Sequence, residues 1–89
     1  MPRATLYAMA RVTLYGKPGC HLCEEARAVV VAALEQRSAE LEEVDVSIDP
    51  ELHRRYGERV PVVEVDGEEL SEYFVDADAL QGRLDRVDA

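Results

Sequence analysis

The apolar positions fall into short blocks whose period changes along the chain. Arg11-Val12-Thr13-Leu14-Tyr15 is rich in strand-forming residues and stops at the breakers Gly16-Lys17-Pro18-Gly19, which predicts a strand feeding a loop. From Cys20 onward, Cys23, Ala26, Val30 and Leu34 recur at spacings of three and four, with Glu24, Arg27, Glu35 and Arg37 elsewhere around the cylinder. That is an amphipathic helix. Glu24 and Glu25 in its first turns and Arg37 near its end would suit the helix dipole. Val44, Val46 and Ile48 alternate with Asp45 and Ser47, predicting a second strand, and the acidic run Glu40, Glu42, Glu43 before it reads as a solvated helix exit. Asp49-Pro50-Glu51 starts a short helix, because Asp caps free backbone amides and proline's fixed φ suits the first helical position. The helix should run to about Tyr56 and end at Gly57.

Val60-Pro61-Val62-Val63-Glu64-Val65 predicts a third strand, Asp66-Gly67 a two-residue hairpin turn, and Glu68-Glu69-Leu70 a returning edge strand. Asp76 is placed to cap a last helix carrying Leu80, Leu84 and Val87 on one stripe, with Gly82 weakening its middle. The expected order is β-α-β-α-β-β-α, an α/β fold with a four-stranded mixed sheet and helices on both faces. Residues 11–89 form the expected domain and residues 1–10 a candidate N-terminal extension, in which Thr5-Leu6-Tyr7 anticipates Thr13-Leu14-Tyr15. Residues 1–8 are expected to be dispensable.

With 89 residues the chain is read as one small unit with a thin core. Nineteen acidic against ten basic side chains give a formal charge of −9, which argues against nucleic acid or anionic lipid as a partner. The longest apolar run, Ala28 to Leu34, is too short to cross a bilayer, and the apolar segment near the N-terminus is too short for a secretory signal. A cytoplasmic, monomeric protein is expected.

Two cysteines three residues apart, Cys20-His21-Leu22-Cys23, argue for chemistry rather than a disulfide-stapled scaffold. Residues at that spacing share a helix face, and a helix starting at the first cysteine lets the pair close and open with little movement. Cys20, at the exposed helix start, would face unpaired N–H groups that favour its thiolate, making it the expected nucleophile. Cys23, one turn in on the apolar stripe, is the expected resolving thiol. Lys17 and His21 work for thiolate formation at Cys20, and Glu24 and Glu25 against it.

Tyr15-Gly16-Lys17-Pro18-Gly19-Cys20-His21-Leu22-Cys23 after a strand, followed later by Val60-Pro61 entering another, resembles the glutaredoxin branch of the thioredoxin fold over nearly the whole chain after residue 10. The resemblance implies a dithiol–disulfide oxidoreductase. It further implies that Pro61 is a cis-proline against the cysteine pair, that Val60 pairs its backbone with substrate, and that Lys17 contacts the carboxylate of glutathione as co-substrate. No bound cofactor or metal is implied. The implied partners are a disulfide-containing protein or small thiol, with glutathione or a flavin-dependent reductase restoring the dithiol. Two departures stand out. Leu70-Ser71-Glu72-Tyr73-Phe74-Val75-Asp76 replaces the family's Gly-Gly pair, and Arg59 stands where the family tends to have threonine. Glu68, Glu69 and Glu72 would repel anionic glutathione if they line the same edge.

Other readings remain beside this one. The cysteines could be inert apolar side chains, or a dimer could share four of them around zinc or an iron–sulfur cluster as a non-catalytic module. An adaptor docking a basic partner through the acidic surface is a third. His21 is expected to be a solvent-facing spacer that tunes Cys20, His53 a surface residue, and Tyr15 and Tyr56 core or rim aromatics.

Overall fold

The computed structural model describes residues 10–35 and 37–88, the last two by backbone alone. Four strands, β1 (Arg11–Gly16), β2 (Glu40–Asp45), β3 (Val62–Val65) and β4 (Glu68–Glu72), alternate with three helices, α1 (His21–Leu34), α2 (Pro50–Tyr56) and α3 (Ala77–Asp88). The sheet order is β2-β1-β3-β4. β1 and β2 are parallel across the α1 crossover, while β1 with β3 and β3 with β4 run antiparallel. Residues 1–9 of the candidate extension, with the Thr5-Leu6-Tyr7 repeat, lie outside the described residues, as does the side chain of Val87. Ala10 belongs to the domain: it is buried in the core, and its carbonyl accepts from Glu40 N–H at 2.9 Å.

Strand alternation divides the core between the two faces of the sheet. Val12, Leu14, Val63 and Val65 meet Ala26, Val30 and Ala33 of α1 and Leu80 and Leu84 of α3. On the opposite face Val62 gathers Val46, Val60, Tyr56 of α2 and Cys23, with Tyr15, Cys20 and Leu52 packed at the margin. The cysteine pair thus belongs to the smaller cluster.

Two elements differ from the sequence reading. β2 lies over Glu40–Asp45, so the acidic run is strand rather than helix exit, and Arg11 and Arg27 meet Glu40 and Glu43 at 3.4 and 2.8 Å. The strand ends because the Asp45 carboxylate turns back to accept from Ser47 N–H at 2.8 Å and Ser47 Oγ at 2.6 Å. Those bonds, the hydroxyl's first, hold the Asp45 carboxyl below its usual range. Val46–Ile48 then forms a 3₁₀ turn that sends Val46 into the core and leaves Ile48 79% exposed. The Val44/Val46/Ile48 alternation was therefore not one strand face.

Helix α1 ends at Leu34, and Arg37 lies beyond it instead of complementing its dipole. Arg37 donates to Gln81 Oε1 at 2.7 Å and pairs with Asp85, tying the loop to α3. The remaining signals hold locally. Asp49 accepts from Glu51 N–H at 2.8 Å and Asp76 from Asp78 N–H at 2.9 Å, capping α2 and α3. Asp66 and Gly67 both take positive φ, 51° and 85°, the conformation of a tight hairpin turn.

Candidate active site

The loop after β1 delivers Cys20 to the start of α1. Gly19 takes φ +74°, a value that favours glycine, and Cys20 follows as the extended N-cap residue. Its Sγ accepts from Cys23 N–H at 3.1 Å, filling one of the free donors at the helix start. Cys20 and Cys23 are joined as a disulfide with Cα atoms 5.2 Å apart. Cys20 is half-buried, whereas Cys23 is 8% exposed and packs inward with Val60 and Val62. The two sulfurs are therefore unequal in access.

Gly16 contributes by having no side chain. A Cβ placed there would lie 3.3 Å from both Cβ and Sγ of Cys23. Read along the sequence, Gly16 was only a chain breaker; its contact partner lies seven positions on, across a turn. Gly16→Ala should destabilise the protein, since overpacking costs about 1–3 kcal/mol while the reduced freedom of the unfolded chain returns only about 0.4–1. A lower urea midpoint at unchanged slope is the expected result.

Pro61 is fully buried and Val60 is 7% exposed. Their shared peptide bond is cis. Val60 lies in the same cluster as the cysteines, so Cys20, Cys23 and Val60 come together with Pro61 beside them. Lys17 points elsewhere: its Nζ donates to Gly57 O, at the C-terminal end of α2, at 3.2 Å. His21 Nε2 meets Glu25 Oε2 at 2.7 Å on the exposed side of α1. His53 is exposed.

Behind the cysteines, Tyr15 and Tyr56 stack with ring centroids 4.1 Å apart, and both hydroxyls donate to Glu64, each at 3.1 Å. The guanidinium groups of Arg55 and Arg59 lie 5.5 and 5.7 Å from the Tyr56 ring centre. A single acid inside the apolar strand Val62–Val65 was the available signal for this network. Burial first, then hydrogen bonding with Tyr56 and Glu64, pushes the Tyr15 phenol well above its ordinary value of 10.0. In the unfolded chain the phenol loses its proton first, so the native state binds more protons above that value. This contribution to stability is complete below about pH 10 and declines as pH climbs toward the folded value. Urea midpoints measured from pH 8 to 11 should fall less steeply at the alkaline end in Tyr15→Phe than in the parent.

The acids on the hairpin are matched with cations. Arg59 donates to Glu72 Oε1 at 2.8 Å and to Glu69, and Arg83 pairs with Glu68. These carboxylates, which would repel anionic glutathione if they lined one edge, are paired with arginines. Among the described residues no group of three or more His, Cys, Asp or Glu side chains could hold a metal ion. No helix among them is long and apolar enough to cross a membrane.

Residues 11–85 match the family model described as Glutaredoxin-like domain (DUF836). The chain belongs to that family. As a glutaredoxin-like domain it is similar to protein Ne2328 from Nitrosomonas europaea, with 34% identity, 84% of this chain and 91% of that one covered, and a TM-score of 0.72. It is likewise similar to protein XcR50 from X. campestris, at 34% identity, 84% and 96% coverage and a TM-score of 0.69. A mutant thioredoxin from Halobacterium salinarum aligns at 27% identity over 90% of this chain and 75% of its own, with a TM-score of 0.68. No curated protein matches the sequence. The thioredoxin fold of this glutaredoxin-like domain, with its paired cysteines, supports a redox role.

Proposed function

We propose that this glutaredoxin-like domain is a dithiol–disulfide oxidoreductase working in a reducing cytoplasm. The unequal placement of the two sulfurs carries the reading: Cys20 half-exposed at a helix start with an N–H aimed at its Sγ, and Cys23 buried behind it. The N–H and the helix dipole stabilise negative charge on the Cys20 sulfur in the reduced protein. The Cys20 thiolate attacks one sulfur of a substrate disulfide; a new S–S bond forms to Cys20 and the other substrate sulfur leaves as thiolate. The Cys23 thiolate then attacks Cys20 Sγ and expels the second substrate sulfur. Two electrons pass to the substrate, whose thiolates take up the two protons the dithiol has lost, and Cys20–Cys23 is left bridged. Val60 and Pro61 are the proposed substrate contacts, with Val60 offering its backbone to the incoming chain, and Lys17 would join them by leaving Gly57 O. Glutathione, or a flavin-dependent reductase, would return two electrons to the bridge.

The test is turnover of a small glutathione mixed disulfide under NADPH-linked glutathione recycling, with thiol mass shifts recorded in parallel. The reading expects disulfide reduction together with a bridge that opens and closes reversibly. A pair that neither exchanges with any disulfide nor re-forms its bridge would remove the proposal. Exchange without glutathione-linked turnover would point to the flavin-dependent donor.

A further inference from the structure

Arg59 ties α2 to β4 beside the proposed substrate contacts. It directly precedes Val60, and its carbonyl and that of Pro61 accept from Tyr73 N–H at 3.3 and 2.8 Å, which fastens this loop to the end of β4. The guanidinium uses all three of its nitrogens. Nε donates to Glu72 at 2.8 Å, one terminal nitrogen donates to Glu69, and the other donates to Arg55 O at 3.4 Å. The bonds to Glu69 and then Glu72 hold the guanidinium above its ordinary value, so its charge is present at every working pH.

The two acids depend on this cation. Glu72 pairs across the ladder with Val62, next to Pro61, and Glu69 pairs with Glu64, a like-charge opposition that is unfavourable unless offset. The other charges of these segments are engaged in different ways. Both tyrosine hydroxyls donate to Glu64, Lys17 is drawn to Gly57 O, and Arg55 lies over the Tyr56 ring. Arg59 is the group bonded to Glu69 and Glu72 together, and without it both would stand uncovered beside the Pro61 loop. In a chain of net charge −9, an anionic substrate already meets an unfavourable field. Local cover of these two acids therefore bears on which disulfides reach Cys20. The Arg59 side chain is 33% exposed and its partners 40%, so bulk salt screens the field they cast.

We infer that Arg59 is a specificity-determining residue that masks Glu69 and Glu72 and so keeps the Cys20 site open to negatively charged disulfides. This rests on the exchange chemistry proposed above and concerns which substrates that chemistry accepts. Arg59 touches no reacting atom; it acts through the field of the acids it covers.

Single-turnover oxidation of the reduced protein by small disulfides of different charge tests this. Glutathione disulfide is the anionic probe, 2-hydroxyethyl disulfide the uncharged one and cystamine the cationic one. With each, the S–S bond of the reagent breaks, its sulfurs leave as two thiols carrying the electrons and protons of the dithiol, and the Cys20–Cys23 bond forms. Rates are compared as variant over parent, which cancels the intrinsic reactivity of each reagent. In Arg59→Gln at low salt the glutathione disulfide rate should fall about threefold or more, the cystamine rate should rise by a similar factor, and the 2-hydroxyethyl disulfide rate should stay within about twofold. At high salt the three ratios should converge. Arg59→Lys keeps the charge without the planar fork and should retain most of the parent pattern. Adding Glu69→Gln and Glu72→Gln to Arg59→Gln should return the glutathione disulfide rate to the parent level or above. Deleting the remaining partners would not repair a loosened loop, so that rescue separates masking from a structural tie. Ratios that do not sort by reagent charge, or a triple variant as slow toward glutathione disulfide as Arg59→Gln, would overturn the inference while leaving the exchange chemistry standing. A parent protein that exchanges with none of the three reagents would remove both.

Discussion

Cys20→Ser is expected to lower disulfide turnover on the order of a thousandfold or more, while Cys23→Ser keeps part of it. Serine at residue 20 retains the N-cap function, since its oxygen can accept from Cys23 N–H as the sulfur does now. The fold should therefore survive and the loss report chemistry. A hydroxyl does not ionise near neutral pH, so no nucleophile remains at the only half-exposed position of the pair. In Cys23→Ser the first exchange still proceeds and the mixed disulfide on Cys20 persists. A second small thiol can resolve it slowly from solution. With a peptide disulfide, intact mass should then show a covalent adduct on Cys23→Ser and none on Cys20→Ser. The reverse pattern, adduct on Cys23 with Cys20 dispensable, would exchange the two roles and contradict the burial that separates them.

What could be read in advance was what short spacing encodes. The Gly19-Cys20 helix start, the Asp49 and Asp76 caps and the Asp66-Gly67 turn each depend on residues within a few positions, and each is where local chemistry places it. Strand β2 was misplaced because period-two alternation cannot distinguish one sheet face from a turn that reaches into a second core. Val46 is buried from that turn, while Ile48 is left in solvent. The acids of the hairpin were counted as charge without partners, since nothing in the run Glu68-Glu69 shows that Arg59 and Arg83 arrive from 10 and 15 positions away. Gly16 against Cys23, and Tyr73 bonded to the Pro61 carbonyl, are likewise meetings of elements. Within the site, Cys20, Cys23 and Val60 come together, Pro61 follows Val60 across their cis bond, and Lys17 is turned toward α2.

Leu80→Ala is expected to cost about 2–5 kcal/mol, enough to bring a protein of this size near its unfolding threshold at room temperature. Leu80 is fully buried and Leu84 nearly so, and among the described side chains they are the two large ones by which α3 enters the core. Ties at the surface cannot replace them. Arg37 to Gln81 and Asp85, and Arg83 to Glu68, are partly exposed contacts, each worth about 0–1 kcal/mol. Nor does the helix have strength of its own, because Gly82 in its interior costs about 0.5–1 kcal/mol relative to alanine. Apart from the surrounding backbone of its own helix, a Cβ built at Gly82 meets nothing within 4 Å, so Gly82→Ala should stabilise the protein by that amount. Urea unfolding should thus give midpoints that move in opposite directions for two substitutions two residues apart on one helix. Adding Gly82→Ala to Leu80→Ala should recover only a minor part of the loss, because propensity acts along the helix whereas the cavity left at residue 80 opens in the core cluster that α3 shares with α1 and the sheet. A small cost for Leu80→Ala would mean that α3 contributes little to this core, and that the face of the sheet opposite the cysteines is held chiefly by α1.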